Sequence, residues 1–427
     1  MTSEVVLMNR QAVAMAADSA VTISGPQYLK TYQSVDKLFP LVEGQPVAVM
    51  IYNNAEIMST PWETVISLYR EAAKGRPLET LDAYAEDFMS FLSGNPDLFP
   101  PDHQDTEFFK HVAVVFTVIA EDFDYQIARF EESGQGRLRD HVSAIFEFVV
   151  GELYSDYQRY PDDHARADLS CFPKGMDEQV RRRYRTEIDQ LLMSLLASLK
   201  QEHPSLTVSD ATRERLRDIA VFSVVKDAFF EHYTGVVFAG FGAREKFPSM
   251  RSYLTSSVIL GILKRKQDRA ADMTADAGPV VQPFAQDRMI KTFLTGMDEY
   301  LRHFMYGESL KLSMNLVSDV IGRAPGLTDT QRSQLFRDYS ENNMGYALRE
   351  FFKAIDSYQY AVHTRPIYRA IASLPRRELG ETAASLIKLN SFQQKVMHSI
   401  ETVGGPIDVA VMTRNGGLEL KRDKPDF

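Results

Sequence analysis

Three residues near the start of the chain, Thr2, Asp18 and Lys37, have the types and the spacing that acyl-transfer chemistry uses. Initiator methionine is removed when the second residue is small, so the mature chain is expected to begin with Thr2. An N-terminal threonine carries a hydroxyl nucleophile and a free amine on one residue, and the amine serves as the hydroxyl's own base. An unperturbed α-amino group titrates at about 7.7–8.0, close to what a general base needs at neutral pH. A lysine beside the hydroxyl lowers its pKa by positive charge, and an aspartate touching that lysine orients it. Those are the roles expected of Lys37 and Asp18.

The elements that must position them are short strands. Residues 4–11 read as a strand that closes in the turn Asn9-Arg10-Gln11, and residues 12–17 as its partner, ending at Asp18-Ser19. The alanines of that second run also suit a helix, but its length and its polar borders favour a buried strand. A hairpin of this size returns Asp18 to the side of Thr2. Residues 35–41 read as entry to a third strand, followed by the Gly44 turn and the apolar run Val47-Ala48-Val49-Met50-Ile51.

Thr2-Ser3, Ala16-Ala17-Asp18-Ser19, Val35-Asp36-Lys37-Leu38-Phe39 and Val47-Ala48-Val49-Met50 resemble the opening of proteasome β-subunits and their bacterial relatives, which are N-terminal nucleophile (Ntn) hydrolases. The sixteen positions from Thr2 to Asp18 fit that family. The step to Lys37 is longer, and the extra residues fall at 24–27, where a loop tolerates insertion. Residues 401–413 look like the family's closing helix, Gly-Gly and strand, with Gly404-Gly405 as the pair and Gly416-Gly417 as a later turn. Residues 235–242 read as a buried central strand and 249–255 as its antiparallel neighbour. Matching blocks cover about half of the chain in family order.

The resemblance implies an α+β fold, a four-layer αββα Ntn-hydrolase sandwich of two stacked antiparallel sheets between helical layers, with helical insertions added. It implies a threonine peptidase that cleaves peptide bonds through Thr2, Asp18 and Lys37, with backbone N–H groups near Tyr52 and Asn53 as the oxyanion hole. No cofactor or metal is implied. Expected partners are a peptide or unfolded-protein substrate, further copies of the chain in a homo-oligomeric ring or spiral, and an ATP-dependent unfoldase. The expected division is core at 1–104, helical insertion at 105–232, core strands and helix at 233–306, a second helical insertion at 307–374, and core again at 375–427.

This chain departs from the family pattern at three places. The glycine where the third-strand run meets the first helix is replaced by Ile51-Tyr52-Asn53-Asn54-Ala55, although a backbone donor survives any side-chain change and the Asn53 or Asn54 amide offers a further one. The supporting aspartate and serine before the Gly-Gly pair have only Ser399, Glu401 and Thr402 as shifted candidates. Pro283-Phe284-Ala285-Gln286-Asp287 replaces a small Ser-Gly turn before the third helix.

The 48 basic and 58 acidic residues leave a net charge of −10, which argues against a sequence-independent nucleic-acid binder. Cys171 is the single cysteine, so an intrachain disulfide and a cysteine zinc cluster are excluded. The first residues lack the basic and long apolar regions of a signal peptide, and the apolar stretch at 111–120 is too short to span a bilayer, so no membrane association and a cytoplasmic location are expected.

Val142, Ile145, Phe146, Val149 and Leu153 recur at helical spacing, and residues 185–199 and 212–230 repeat that pattern. The second helical stretch, from about Gly307, has residues 340–345 as its most polar break. Arg181-Arg182-Arg183 with Tyr184 and Arg185 reads as a solvated helix face paired with Glu187 and Asp189 rather than a phosphate site. Pro161-Asp162-Asp163-His164 lacks ligand spacing for a metal, Gly240-Phe241-Gly242 lacks the third glycine of a dinucleotide site, and Ser249 sits in no Gly-x-Ser-x-Gly elbow. Two other functions fit the same opening residues: a catalytically silent proteasome-like scaffold, and an Ntn amidase for small substrates. Retention of Thr2, Asp18 and Lys37 together argues against the first.

Overall fold

Asn9 closes the first hairpin. Its Oδ1 accepts from the N–H groups of Gln11 and Ala12 at 2.9 and 3.1 Å, the side chain standing in for a backbone carbonyl in the turn. Strands β1 (Ser3–Met8) and β2 (Ala12–Asp18) therefore pair antiparallel, with Glu4 opposite Ala17. The computed structural model describes residues 3–25, 28–32, 35–134, 136–158, 167–230, 233–397 and 404–422, and only the backbone of 21–25, 28–31 and 397. Thr2, Ser399, Glu401, Thr402 and the 161–164 run lie outside the described residues.

The protein is a mixed α+β structure of antiparallel sheets and helices, and its chain divides into two compact units. The first comprises Met1–Tyr52, Ala239–Ser249 and Ala271–Phe427. Its main sheet has five strands, with β12 (Val280–Ala285) beside β1, then β2, β13 (Ile407–Thr413) and β14 (Gly417–Lys421). Every pairing in it is antiparallel. Residues 283–285 belong to β12. Proline is tolerated there because β12 is an edge strand.

Period-two alternation puts Val5, Leu7, Ala12, Ala14 and Ala16 on one face, where they pack with Leu379, Ala383 and Ile387 of α13 (Arg376–Met397) and Ile290 of α8 (Arg288–Thr295). The alanines of β2 keep their strand form because β1 and β13 flank them on both sides, and tertiary pairing overrides alanine's helical preference. Small residues also bring α13 close: a Cβ at Gly380 would meet Val411 Cγ2 at 2.7 Å.

A hairpin of β3 (Val21–Gly25) and β4 (Tyr28–Tyr32) follows β2, and β5 (Leu38–Pro40) pairs antiparallel with β6 (Val47–Asn53). The unit also holds α9 (Glu299–Arg323), α10 (Asp329–Tyr339), α11 (Gly345–Gln359) and α12 (Arg365–Ser373). Gly307 lies within α9. The polar segment at 340–345 is no break. Ser340–Met344 form a π-helical turn that joins α10 to α11, since polar residues on an exposed helix face keep their backbone bonds. Asn9 Nδ2 ties the first hairpin to the end of α12 through the carbonyls of Ile371 and Leu374, at 3.1 and 2.9 Å.

The second unit comprises Asn53–Phe238 and Met250–Ala270. Two short strands, β7 (Glu56–Ile57) and β8 (Thr60–Pro61), lead into α1 (Trp62–Ala73) and α2 (Leu81–Ser93). Thr80 caps α2 by accepting from the Ala83 N–H at 3.1 Å. Helices α3 (Pro101–Ser133), α4 (Val142–Gln158), α5 (Met176–Arg183), α6 (Arg185–Glu202) and α7 (Asp210–Val225) share one apolar core. Phe108, Val112, Phe116, Ile119 and Phe123 of α3 supply its long stripe, at three- and four-residue steps. Strands β9 (Thr234–Gly240), β10 (Ser249–Ile259) and β11 (Ile262–Asp272) lie in that order. The two-residue turn Leu260-Gly261 has positive φ at both positions, 50° and 79°, as a tight β10–β11 hairpin requires.

Candidate active site

Asp18 is the last residue of β2, and the register sets it opposite Ile407 at the start of β13. Its carboxylate is buried and fully engaged. Oδ1 accepts from the Ser3 N–H at 3.1 Å and from Lys37 Nζ at 2.8 Å, and Oδ2 accepts from the Gly404 N–H at 3.0 Å. Lys37 precedes β5, and its carbonyl accepts from the Ile51 N–H at 2.9 Å, which fixes its backbone to β6. Lys37 is 3% exposed, and Nζ donates a second hydrogen bond to the Ala20 carbonyl at 2.6 Å. Two elements far apart in sequence thus present one buried ion pair. A desolvated pair persists only when further hydrogen bonds satisfy both partners, as they do here.

No protein-family model matches the chain, and no curated protein does. The geometry around the pair therefore carries the functional reading.

Ser3 is held on its other side. Asn390 Nδ2 on α13 donates to Ser3 Oγ at 2.9 Å and to the Gln286 carbonyl at 2.8 Å. The Thr2–Ser3 peptide N–H is thus clamped to Asp18 while the Ser3 hydroxyl is clamped to α13. Glu4 is fully buried, and neither carboxylate oxygen has a hydrogen-bond partner among the described residues. Burial drives its pKa well above the ordinary value; Lys37 opposes that shift and Asp18 adds to it. Register places Glu4 and Asp408 on either side of Ala17 across three strands, so two buried carboxyl residues share one sheet face.

Tyr52 and Asn53, the expected oxyanion donors, end β6. Tyr52 is buried in the first unit, with its ring 5.6 Å from that of Phe284. Asn53 begins the second unit with φ 75°, a left-handed conformation in which asparagine is among the less strained residues. The Asn53 and Asn54 amides both donate to the Tyr233 carbonyl, at 2.8 and 2.9 Å. Beyond them, Met58 and Ser59 also take positive φ, and this turn lines a cavity of about 500 Å³ in the second unit together with Lys110, His111 and Ser256.

Of the features set aside from sequence, the arginine run is paired, but not wholly as expected. Arg183 meets Glu187 at 3.7 Å and also Asp105, whereas Arg181 pairs with Asp218 and Asp189 pairs with Arg217 from α7. Among the described residues Asp124, Glu202 and His203 bring ligand-type atoms within 4.8 Å of one another; both carboxylates are exposed, in the second unit.

Sequence reasoning pointed to Asp18, Lys37 and the Gly404-Gly405 pair, and missed Glu4, Ala20, Asn390 and the bond from Gly404 to Asp18. Three of these act through backbone groups or through long-range placement that leaves no local pattern. Glu4 did carry a signal, as a carboxyl residue inside an otherwise apolar strand.

Proposed function

We propose that the chain is a proteasome-like threonine peptidase of the Ntn-hydrolase class, with the four-layer αββα sandwich as its core and Thr2 as nucleophile. One observation carries the reading. A buried Asp18–Lys37 ion pair is hydrogen-bonded to the Ser3 N–H, the amide that joins Ser3 to Thr2. Covalent geometry keeps Thr2 within one Cα step, about 3.8 Å, of that anchored residue. The same bond that satisfies the buried carboxylate holds Ser3 against the pair, and a lysine's charge acts on a hydroxyl only at such short range.

In this mechanism the Thr2 Oγ attacks a peptide carbonyl while its proton passes to the Thr2 amine. Lys37 stabilises the forming alkoxide, and Asp18 holds the Lys37 side chain in place. The tetrahedral intermediate collapses with expulsion of the leaving amine, which takes the proton. Water then adds to the acyl ester, the amine accepting and returning one proton, and releases the carboxylate product. Each proton taken up is returned, so the cycle needs no co-reactant. Peptides or unfolded chains are the proposed substrates, homo-oligomers the proposed working state, and an ATP-dependent unfoldase the proposed source of substrate.

Intact-mass analysis tests the first requirement. The account expects a chain lacking Met1, with Thr2 unacetylated, in the assembled protein. Quantitative retention of Met1 there removes the proposed base and contradicts the mechanism.

A further inference from the structure

Val258 lies near the end of β10 and is 1% exposed, and its backbone N–H donates to Met58 Sδ at 3.2 Å. A thioether sulfur is a weak acceptor, whereas a buried backbone N–H ordinarily meets an oxygen. The sheet order explains why no strand supplies that oxygen. Strand β9 begins at Thr234, whose carbonyl accepts from Thr255 Oγ1 at 3.0 Å, so β10 runs on through residues 256–259 past the start of its neighbour. The Met58 side chain reaches that edge instead, from a backbone conformation its residue type disfavours. Ile57 pairs with Thr60, so Met58-Ser59 is the two-residue turn of the β7–β8 hairpin, with φ of 49° and 62°. Such a turn favours Asn-Gly, and methionine and serine in it carry strain.

Met58 also lines the cavity of about 500 Å³, together with Ser256 and Ser257 of β10, and that volume is in the range of ligand sites. Helix α3 contributes Glu107, Lys110, His111 and Val114 to the lining, at the three- and four-residue steps of one helix face. Lys110 Nζ meets Glu107 Oε1 at 2.7 Å, so the two charges of this wall satisfy each other and offer an ionic ligand no counter-charge. Glu56, the other charged residue of the lining, is open to solvent, where an ion pair is worth little. Ile57, Val114 and Phe230 add apolar surface. A strand edge with a poorly matched donor, an apolar wall and no net charge suits the main chain and side chain of a peptide. We propose that the cavity binds a short, uncharged, extended peptide segment along residues 256–259 of β10. A carbonyl of that peptide accepts from the Val258 N–H in place of Met58 Sδ, and its side chain takes the space that the displaced methionine leaves. Met58 is then a built-in plug, and its displacement relieves the strain of the turn. The site lies wholly within the second unit and does not depend on the peptidase reading.

NMR of the full chain carrying methyl-labelled methionine tests it, in a Thr2→Ala background so that no peptide is consumed. Titrated acetyl-Ala-Leu-Ala-amide is expected to shift the Met58 methyl signal, assigned by its absence from Met58→Leu, and to saturate. Met58→Ala removes the plug, and calorimetry is expected to show about tenfold tighter binding in that variant. Val114→Trp fills the cavity from a half-buried position and, with an unchanged circular dichroism spectrum, is expected to abolish binding. Isocaproate and isoamylamine, which carry a branched apolar chain on a charge, are expected not to bind. No saturable shift at Met58, equal or weaker binding by Met58→Ala, or undiminished binding by a folded Val114→Trp overturns the site. Binding of either charged compound as tightly as the peptide overturns the ligand class.

Discussion

Lys37 Nζ lies 2.8 Å from Asp18 Oδ1, with both side chains sealed from solvent. Removing one partner leaves the other as an uncompensated buried charge, which costs about 3–5 kcal/mol, whereas removing both with residues of similar shape costs far less. Asp18→Asn or Lys37→Met alone is therefore expected to lower stability by about that amount. The double variant Asp18→Asn with Lys37→Met is expected to be more stable than the sum of the single losses. Urea midpoints for the four proteins of this cycle give the coupling. Additive single and double losses would contradict the finding of a tightly coupled pair.

Glu4 provides a pH test whose sign is fixed. Burial raises its folded-state pKa well above the ordinary 4.5, with Lys37 acting against the shift and Asp18 in its favour. Above the ordinary carboxylate range the folded state therefore holds a proton that the unfolded state has lost, so stability falls as pH rises toward the folded pKa. Glu4→Gln keeps the shape and removes that dependence. Thermal melts should show Glu4→Gln above wild type at pH 8, with the gap narrowing as pH approaches 4. A variant less stable than wild type at pH 8, with the deficit growing as pH rises, would mean that Glu4 is ionised and paired.

Gly240 tests the backbone around β6. Its φ of 148° lies where side chains are rarely tolerated, and a Cβ there would sit 2.1 Å from the Pro46 carbonyl oxygen and 2.8 Å from Val47 Cα. Backbone atoms cannot swing aside as a side-chain end does. Gly240→Ala is expected to cost at least about 3 kcal/mol, in the range of overpacking and strain combined. A melting temperature within a degree of wild type would show that this close approach does not exist.

How much of this could be read beforehand follows from what leaves a local trace. The β1–β2 hairpin was legible because Asn9 marks the turn and apolar runs flank it. Asp18 and Lys37 were legible because polar residues end buried strands there. The bonds that hold Ser3 and Asp18 from the far side were not, because Asn390 and Gly404 come from hundreds of residues away and contribute a side-chain amide and a backbone N–H. The strand at 280–285 escaped because a proline inside a run argues against a strand unless its edge position is known. The polar run at 340–345 was read as a break because polarity marks loops only where the helix has a face to bury, and α9 to α12 bury little.

The most direct test of the peptidase reading is chemical. A peptide epoxyketone needs a hydroxyl and a free amine on one residue to form its cyclic adduct. On the native protein, mass spectrometry should find one adduct on Thr2 of wild type, none on Thr2→Ala, and a reduced yield on Thr2→Ser, which keeps hydroxyl and amine and loses the methyl that restrains χ1. Lys37→Arg should stay folded and label far more slowly, because the guanidinium does not reproduce the lysine's point charge and geometry. Equal labelling of wild type and Thr2→Ala, or no labelling of the intact assembly, contradicts the account and leaves the silent scaffold in its place.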